Sequence, residues 1–219
     1  MKHKTPIILA IMSLAACTKL KDAPAELPHY YPLALNDYST FAIEELQHDA
    51  FREETDTIYY WLKETVADTV RDNTGQLAYT IEIEQSNDSG RTWEFITYGL
   101  AHKDNFSAQR MVNNKRTVVL SFPLRERKSW DINELNIEDM KTARYFDVDQ
   151  AYTLVGVAYS NSLRVDLGND VDPFFQEVEE EIYARGKGLI WRKKLSVETQ
   201  PGKYKEGNEF TQTIIRTNR

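Results

Sequence analysis

The sequence predicts one mainly β domain, a single curved antiparallel sheet or half-barrel with at most one or two short helices. Three observations predict it. Several segments alternate apolar and polar residues with a period of two. Gly, Asn and Asp part these segments at the short intervals typical of hairpin turns. The chain also has 12 Tyr, 9 Phe and 4 Trp, the large apolar side chains that a folded sheet buries.

In chain order, residues 18–32 carry Pro24, Pro28 and Pro32 with little periodicity and read as a tether. Ile43, Leu46, Ala50 and Phe51 fit helical spacing and are read as a short helix. Ile58, Tyr60, Leu62 and Val66 form one face of an aromatic-rich strand. Tyr59 and Trp61, on its other face, are expected to be core for a second layer rather than a ligand platform. Leu77, Tyr79, Ile81 and Ile83 alternate with polar residues as a half-buried strand does. Val118, Leu120, Phe122 and Leu124 repeat the pattern, with Pro123 marking an edge or strand end. Tyr152 to Tyr159 is apolar on both faces, as in a central strand. Asp172-Pro173 resembles a helix start, Gly186 a helix stop, and Phe174, Val178 and Ile182 share a helical face. The same residues also alternate as a strand, and both readings stand. Leu189 to Glu198 and Phe210 to Thr217 close the chain as strands.

Two turns are distinctive. Ser86-Asn87-Asp88-Ser89-Gly90-Arg91-Thr92-Trp93 matches S-x-D-x-G-x-T-W and resembles the Asp-box hairpins of sialidase-type propellers. The pattern occurs once, in a chain too short for a propeller of four-stranded blades, so a structural role is expected. Asp88 would accept backbone N–H groups, Gly90 would take positive φ and Trp93 would pack beneath. The second stretch, Ile182 to Trp191, contains Y-A-x-G-x-G-L-[IV]. It is similar to a turn of several Gram-negative envelope lipoprotein families. That resemblance implies two late strands of a curved sheet like those of the lipoprotein carriers LolA and LolB. Gly186 and Gly188 would then serve a tight turn and not a phosphate loop, which opens a helix after a strand.

The amino-terminal residues predict export. A basic Met1-Lys2-His3-Lys4 precedes an apolar run, Pro6 to Leu14, about half the length that crosses a bilayer. This is the pattern of a signal peptide, here residues 1–16. Leu14-Ala15-Ala16-Cys17 resembles the lipobox of bacterial lipoproteins. The resemblance implies that Cys17 receives diacylglycerol and an amino-terminal acyl chain such as palmitate, and anchors the protein to a membrane. Three acyl chains exceed the two signals that stable anchoring takes. Thr18, not Asp, follows the cysteine, which by the same resemblance implies an outer membrane and, among its faces, the periplasmic one. The domain plan is therefore signal peptide 1–16, lipidated tether 17–32 and β domain 33–219.

Composition narrows the function. The chain carries 27 basic and 34 acidic residues. Removing residues 1–16 takes two lysines and leaves 25 basic against 34 acidic, a charge of −9. An acidic domain does not suit nucleic acid. Cys17 is the only cysteine, so neither an internal disulfide nor thiol catalysis is expected. His29 lies in the tether, His48 and His102 stand alone, and no metal or cofactor is expected. Asp166, Asp170 and Asp172 lack the spacing of an EF-hand and read as a solvated turn. Glu179-Glu180-Glu181 reads as a solvated face. No Gly-x-Ser-x-Gly or Ser-x-x-Lys pattern occurs, and no catalytic residue is assigned. Three functions compete: a non-enzymatic lipoprotein binding or assembling another envelope protein, a carrier of a lipid or other apolar ligand in the concave face, and a hydrolase using paired carboxylates. The first requires nothing that the sequence lacks.

Overall fold

The computed structural model describes residues 29–71, 75–200 and 202–219. Cys17, the lipobox residues Leu14, Ala15 and Ala16, and the tether as far as Pro28 lie outside the described residues.

Strands β1 (Tyr38–Asp49), β2 (Glu54–Arg71), β3 (Leu77–Ser86) and β4 (Glu94–Lys103) open the fold. Strands β5 (Ser107–Val112), β6 (Lys115–Ser121), β7 (Ser129–Asp131) and β8 (Thr142–Leu154) follow. Strands β9 (Val157–Val171), β10 (Phe175–Ala184), β11 (Gly188–Glu198) and β12 (Glu206–Thr217) complete it, with no helix among the described residues. All twelve form one sheet in the order β6-β5-β4-β3-β2-β1-β12-β11-β10-β9-β8-β7. Neighbours pair antiparallel, and β1 pairs with β12, so the sheet nearly closes into a barrel with one seam, between β6 and β7. Register shifts at Thr40/Phe41, Ile83/Glu84, Ala108/Gln109 and Ile182/Tyr183 add the local twist that lets so long a sheet curl.

Backbone and side-chain hydrogen bonds lace the seam. The Val118 N–H donates to the Ile132 carbonyl, and the Trp130 indole N–H donates to the Val118 carbonyl, both over 2.9 Å. The Tyr145 hydroxyl accepts the Ser121 N–H at 2.7 Å and donates to the Ser121 carbonyl at 3.0 Å. The Asn136 amide donates to the Arg116 carbonyl. These contacts occupy groups that an edge strand would otherwise offer to another chain. Pro123 falls just past the end of β6, an edge strand, where its missing N–H costs no ladder bond.

Two expectations are corrected, and one open choice is decided. The segment with helical spacing at Ile43 to Phe51 is strand β1 and its turn; Ile43 faces the core and Phe51 is 96% exposed. Cross-strand partners decide it, because every residue from Tyr38 to Asp49 is registered against β2. At 172–186 the strand reading holds. Asp172 accepts the N–H groups of Phe174 and Phe175, which makes a turn into β10 instead of a helix cap. Tyr152 to Tyr159 is the tip of the β8–β9 hairpin and not one central strand. Val155 and Gly156 both take positive φ there, the geometry of a two-residue hairpin turn. Its double-sided apolarity has a tertiary cause: Tyr152, Leu154 and Tyr159 pack on Ile182, Ala184 and Ile190.

The chain enters the body at His29. Turns 104–106, 155–156 and 185–187 lie at this entry end, and turns 50–53, 113–114, 172–174 and 199–205 at the far end. Residues 29–33, at the junction of the predicted tether and domain, run into the barrel. Tyr30 is fully buried in the larger core cluster with Leu120, Tyr145, Leu163 and Tyr183. Tyr31 packs against that cluster and against the one around Val66, Ile81 and Ile83. Lys103 Nζ donates to the Tyr31 carbonyl at 2.9 Å. The chain's own segment thus plugs the entry end.

Candidate functional site

Alternation along β10 and β11 builds the interior site. Glu179, Glu181 and Tyr183 share one face of β10, and Arg192 and Lys194 share the facing side of β11, registered Glu181↔Arg192 and Glu179↔Lys194. The glutamate run is therefore not a solvated face. Glu181 is only 5% exposed, bonded to Arg192 Nε at 2.7 Å and to the Tyr183 hydroxyl at 2.6 Å. Glu179 pairs with Lys141 and Lys194. Glu180, on the outer face, reaches Arg164 instead.

Across the barrel, Arg110 on β5 holds Glu64 on β2 in a two-pronged pair of 2.8 and 2.5 Å. Burial pushes the Glu64 carboxyl up, but the charge and hydrogen bonds of Arg110 outweigh it and hold the group below the usual carboxylate range. Burial likewise opposes ionisation of Glu179, and its two lysine partners again win. Burial drives the Tyr31 phenol up to about 12. Because both carboxyls titrate lower folded than unfolded, the unfolded chain takes up more protons near pH 4. Their contribution is complete above the unfolded value of about 4.3 and is lost as pH falls through the folded values. The melting temperature is thus expected to drop on acidification below about pH 4, and less steeply in a Glu64→Gln/Arg110→Met variant. Equal slopes for the two proteins, by calorimetry, would refute this assignment.

The belt leaves two spaces. A small one of about 50 Å³, between Tyr31, Glu64, Arg110 and Arg192, has room for a few waters but not for an acyl chain. A larger cavity of about 420 Å³ opens towards the far end. Arg110, Lys115, Lys141, Arg192 and Lys194 line it, with Val112, Ile132 and Leu167 between them. Arg110 is paired with Glu64, Lys115 with Glu138 and Arg192 with Glu181, while Lys141 and Lys194 share Glu179, so the lining keeps one positive charge in excess. In a chain of net charge −7 this is a locally positive mouth.

No family model and no curated protein matches the chain. Among solved structures, a Bacteroides fragilis protein with a YmcC-like fold aligns over 88% of this chain and 100% of its own, at 10% identity and a TM-score of 0.37. So loose a likeness carries no function.

Apart from Glu179 and Glu181, the residues singled out in the sequence lie elsewhere than the cavity. In the 86–93 hairpin, Asp88 Oδ1 accepts the N–H groups of Arg91 and Thr92 and the Ser86 hydroxyl, and Oδ2 accepts the Thr92 hydroxyl. The Thr92 backbone and side chain, then Ser86, hold the Asp88 carboxyl well below its ordinary value. Gly90 has φ +81°, and a Cβ there would sit 2.9 Å from the Trp61 ring and 3.2 Å from Trp93. The hairpin thus folds onto the outer wall over Trp61, which gives that ring part of the second-layer contact expected of it but leaves it only partly buried. Tyr59 instead stays 67% exposed, bonded to Glu44. Gly90→Val is expected to destabilise the protein by about 3 kcal/mol through backbone strain and overpacking. Unchanged urea unfolding would show that the hairpin accommodates the branch.

The glycine turn clamps the entering chain. Gly186 (φ +74°) donates its N–H to the His29 carbonyl, and a Cβ at Gly188 (φ +80°) would meet Pro32 and Arg219 at 3.2–3.4 Å. Arg185 and the Tyr30 hydroxyl both bond Asp149, and the Arg185 guanidinium lies over the Tyr30 ring. Asp166 and Asp172 accept local backbone N–H groups, and no cluster of three acid, His or Cys side chains converges among the described residues. His48 bonds Glu209 and Thr55, and His102 bonds the Leu77 carbonyl. Sequence reasoning missed Glu64, Arg110 and Arg192, and misread Glu181 as solvated. Only period-two alternation through the glutamate run pointed inward.

Proposed function

We propose that this chain is an outer-membrane lipoprotein whose barrel is a non-enzymatic binding module, receiving an acidic group of an envelope protein in its far-end mouth. One observation carries the reading: residues 30–33 plug the entry end, whereas the far end opens on a positively lined cavity. Eleven residues lie between Cys17 and His29, a reach of roughly 40 Å at full extension, so an acylated Cys17 keeps the entry end towards the membrane. The mouth then faces away from it. Phe51, Phe174 and Tyr204, on three of the far-end turns, and Ile137, on the β7–β8 loop beside Lys115, are exposed apolar side chains suited to a protein surface.

The small space is too tight for an acyl chain, and the 420 Å³ cavity, though large enough, is lined by five cationic side chains, which weighs against carriage of an apolar ligand. The Arg110 pair holds the Glu64 carboxyl below its usual range, which weighs against Glu64 as the acid of a hydrolase, since that role needs a raised pKa.

A photo-crosslinking residue placed at Lys115, at the mouth, is expected to give a discrete adduct in cells, and one at Leu35, at the entry end, none. The reverse pattern, or saturable binding of a fluorescent fatty acid by delipidated protein, would overturn the reading. Cys17→Ser is expected to move the protein from the membrane to the soluble fraction, with mass spectrometry finding acyl chains only on the parent. A variant still wholly in the membrane fraction would refute the anchor.

A further inference from the structure

The outer wall carries a second site, unconnected with the barrel mouth. A groove of about 500 Å³ runs beneath the 86–93 hairpin across β2, β1 and β12. Trp61 and Trp93 line it, and each is only partly buried. So do Tyr38, Thr40, Thr65 and Arg216. The side chains of these four make no hydrogen bond or ion pair among the described residues, whereas Ser86, Asp88 and Thr92 of the hairpin above them are bonded to one another. Lys63 is different: it is committed to Glu84 and lies over the Trp93 ring.

We propose that this groove binds a glycan bearing acidic groups. Indole faces are electron-rich and attract the polarised C–H bonds on the flat side of a pyranose ring. Three hydroxyls at the groove floor and rim can donate to or accept from ring hydroxyls, which an apolar ligand would leave unused. Arg216 is exposed and without an acid partner, and its guanidinium matches a carboxylate in two-pronged geometry. The volume is that of a ligand of one to a few sugar rings. An acidic protein gains selectivity from such an isolated cation, because its remaining surface repels an anion.

The test uses the full chain in detergent, titrated with a hexamer of galacturonic acid and, in parallel, with maltohexaose, followed by tryptophan fluorescence and calorimetry. Saturable binding of the acidic hexamer is expected, with at least tenfold weaker binding of the neutral one. Arg216→Glu is expected to weaken the acidic hexamer tenfold or more, and Thr65→Val a few-fold, with melting temperatures unchanged because both side chains are unpartnered. Absence of saturable binding by the acidic hexamer overturns the proposal, as does equal affinity for the neutral one. Affinity unmoved by both substitutions places the glycan elsewhere and equally overturns it.

Discussion

Arg110→Met is expected to lower stability by about 3 kcal/mol, a fall of about 10 °C in melting temperature for a chain of this size. The substitution keeps the volume but strands Glu64, whose side chain is 18% exposed and loses both of its guanidinium bonds. The figure lies at the low end for a broken buried pair because water still reaches a fifth of each side chain. Adding Glu64→Leu is expected to restore most of the loss, since a well-packed apolar pair often equals a buried ion pair. Denaturant unfolding of the two single variants and the double variant yields the coupling directly. Additive losses, with the double variant the least stable, would mean that the pair does not act as a unit.

Trp130→Ala is expected to cost about 4 kcal/mol and to open the seam. The indole is 8% exposed, lies 4.4 Å from the Tyr145 ring between centroids, and donates to the Val118 carbonyl. Removing it empties a core position and orphans a buried carbonyl at once. Tyr145→Phe is the milder counterpart: it keeps the ring and removes only the hydroxyl that serves both backbone groups of Ser121, at a cost of about 2 kcal/mol. Amide hydrogen exchange at Val118 and Ser121 should accelerate in both variants ahead of global unfolding, with Leu163 and Ile190 still protected. Uniform acceleration along the chain would show that the seam is no weaker than the rest of the wall.

Much of the wall was legible because strand alternation is a local property. Leu77 to Ile83 and Val118 to Leu124 needed only a period of two; β3 lies where that period placed it, and β6 covers the first half of the second pattern, ending at Ser121 before Pro123. The hairpin at Asp88 and Gly90 was equally local, its hydrogen bonds spanning no more than four residues. Misreadings arose where two faces were both apolar, or where helical spacing coincided with alternation. Ile43 to Phe51 and Tyr152 to Tyr159 look different only once their cross-strand partners are known.

The interior belt was illegible for a different reason. Glu64 and Arg110 stand 46 residues apart, and nothing near either in sequence names the other. Glu179 and Glu181 read as solvent-facing because three consecutive acids usually are; burial became tolerable only when Arg192, Lys141 and Lys194 arrived from other strands. The sequence alone determined the β class, the strand texture, the local turns and the expectation of a lipid anchor, since each depends on neighbours in the chain. Tertiary structure decided strand order, the seam, the plugged end and the charged mouth. Those depend on which distant groups meet, and a buried charge is set by its partners in space.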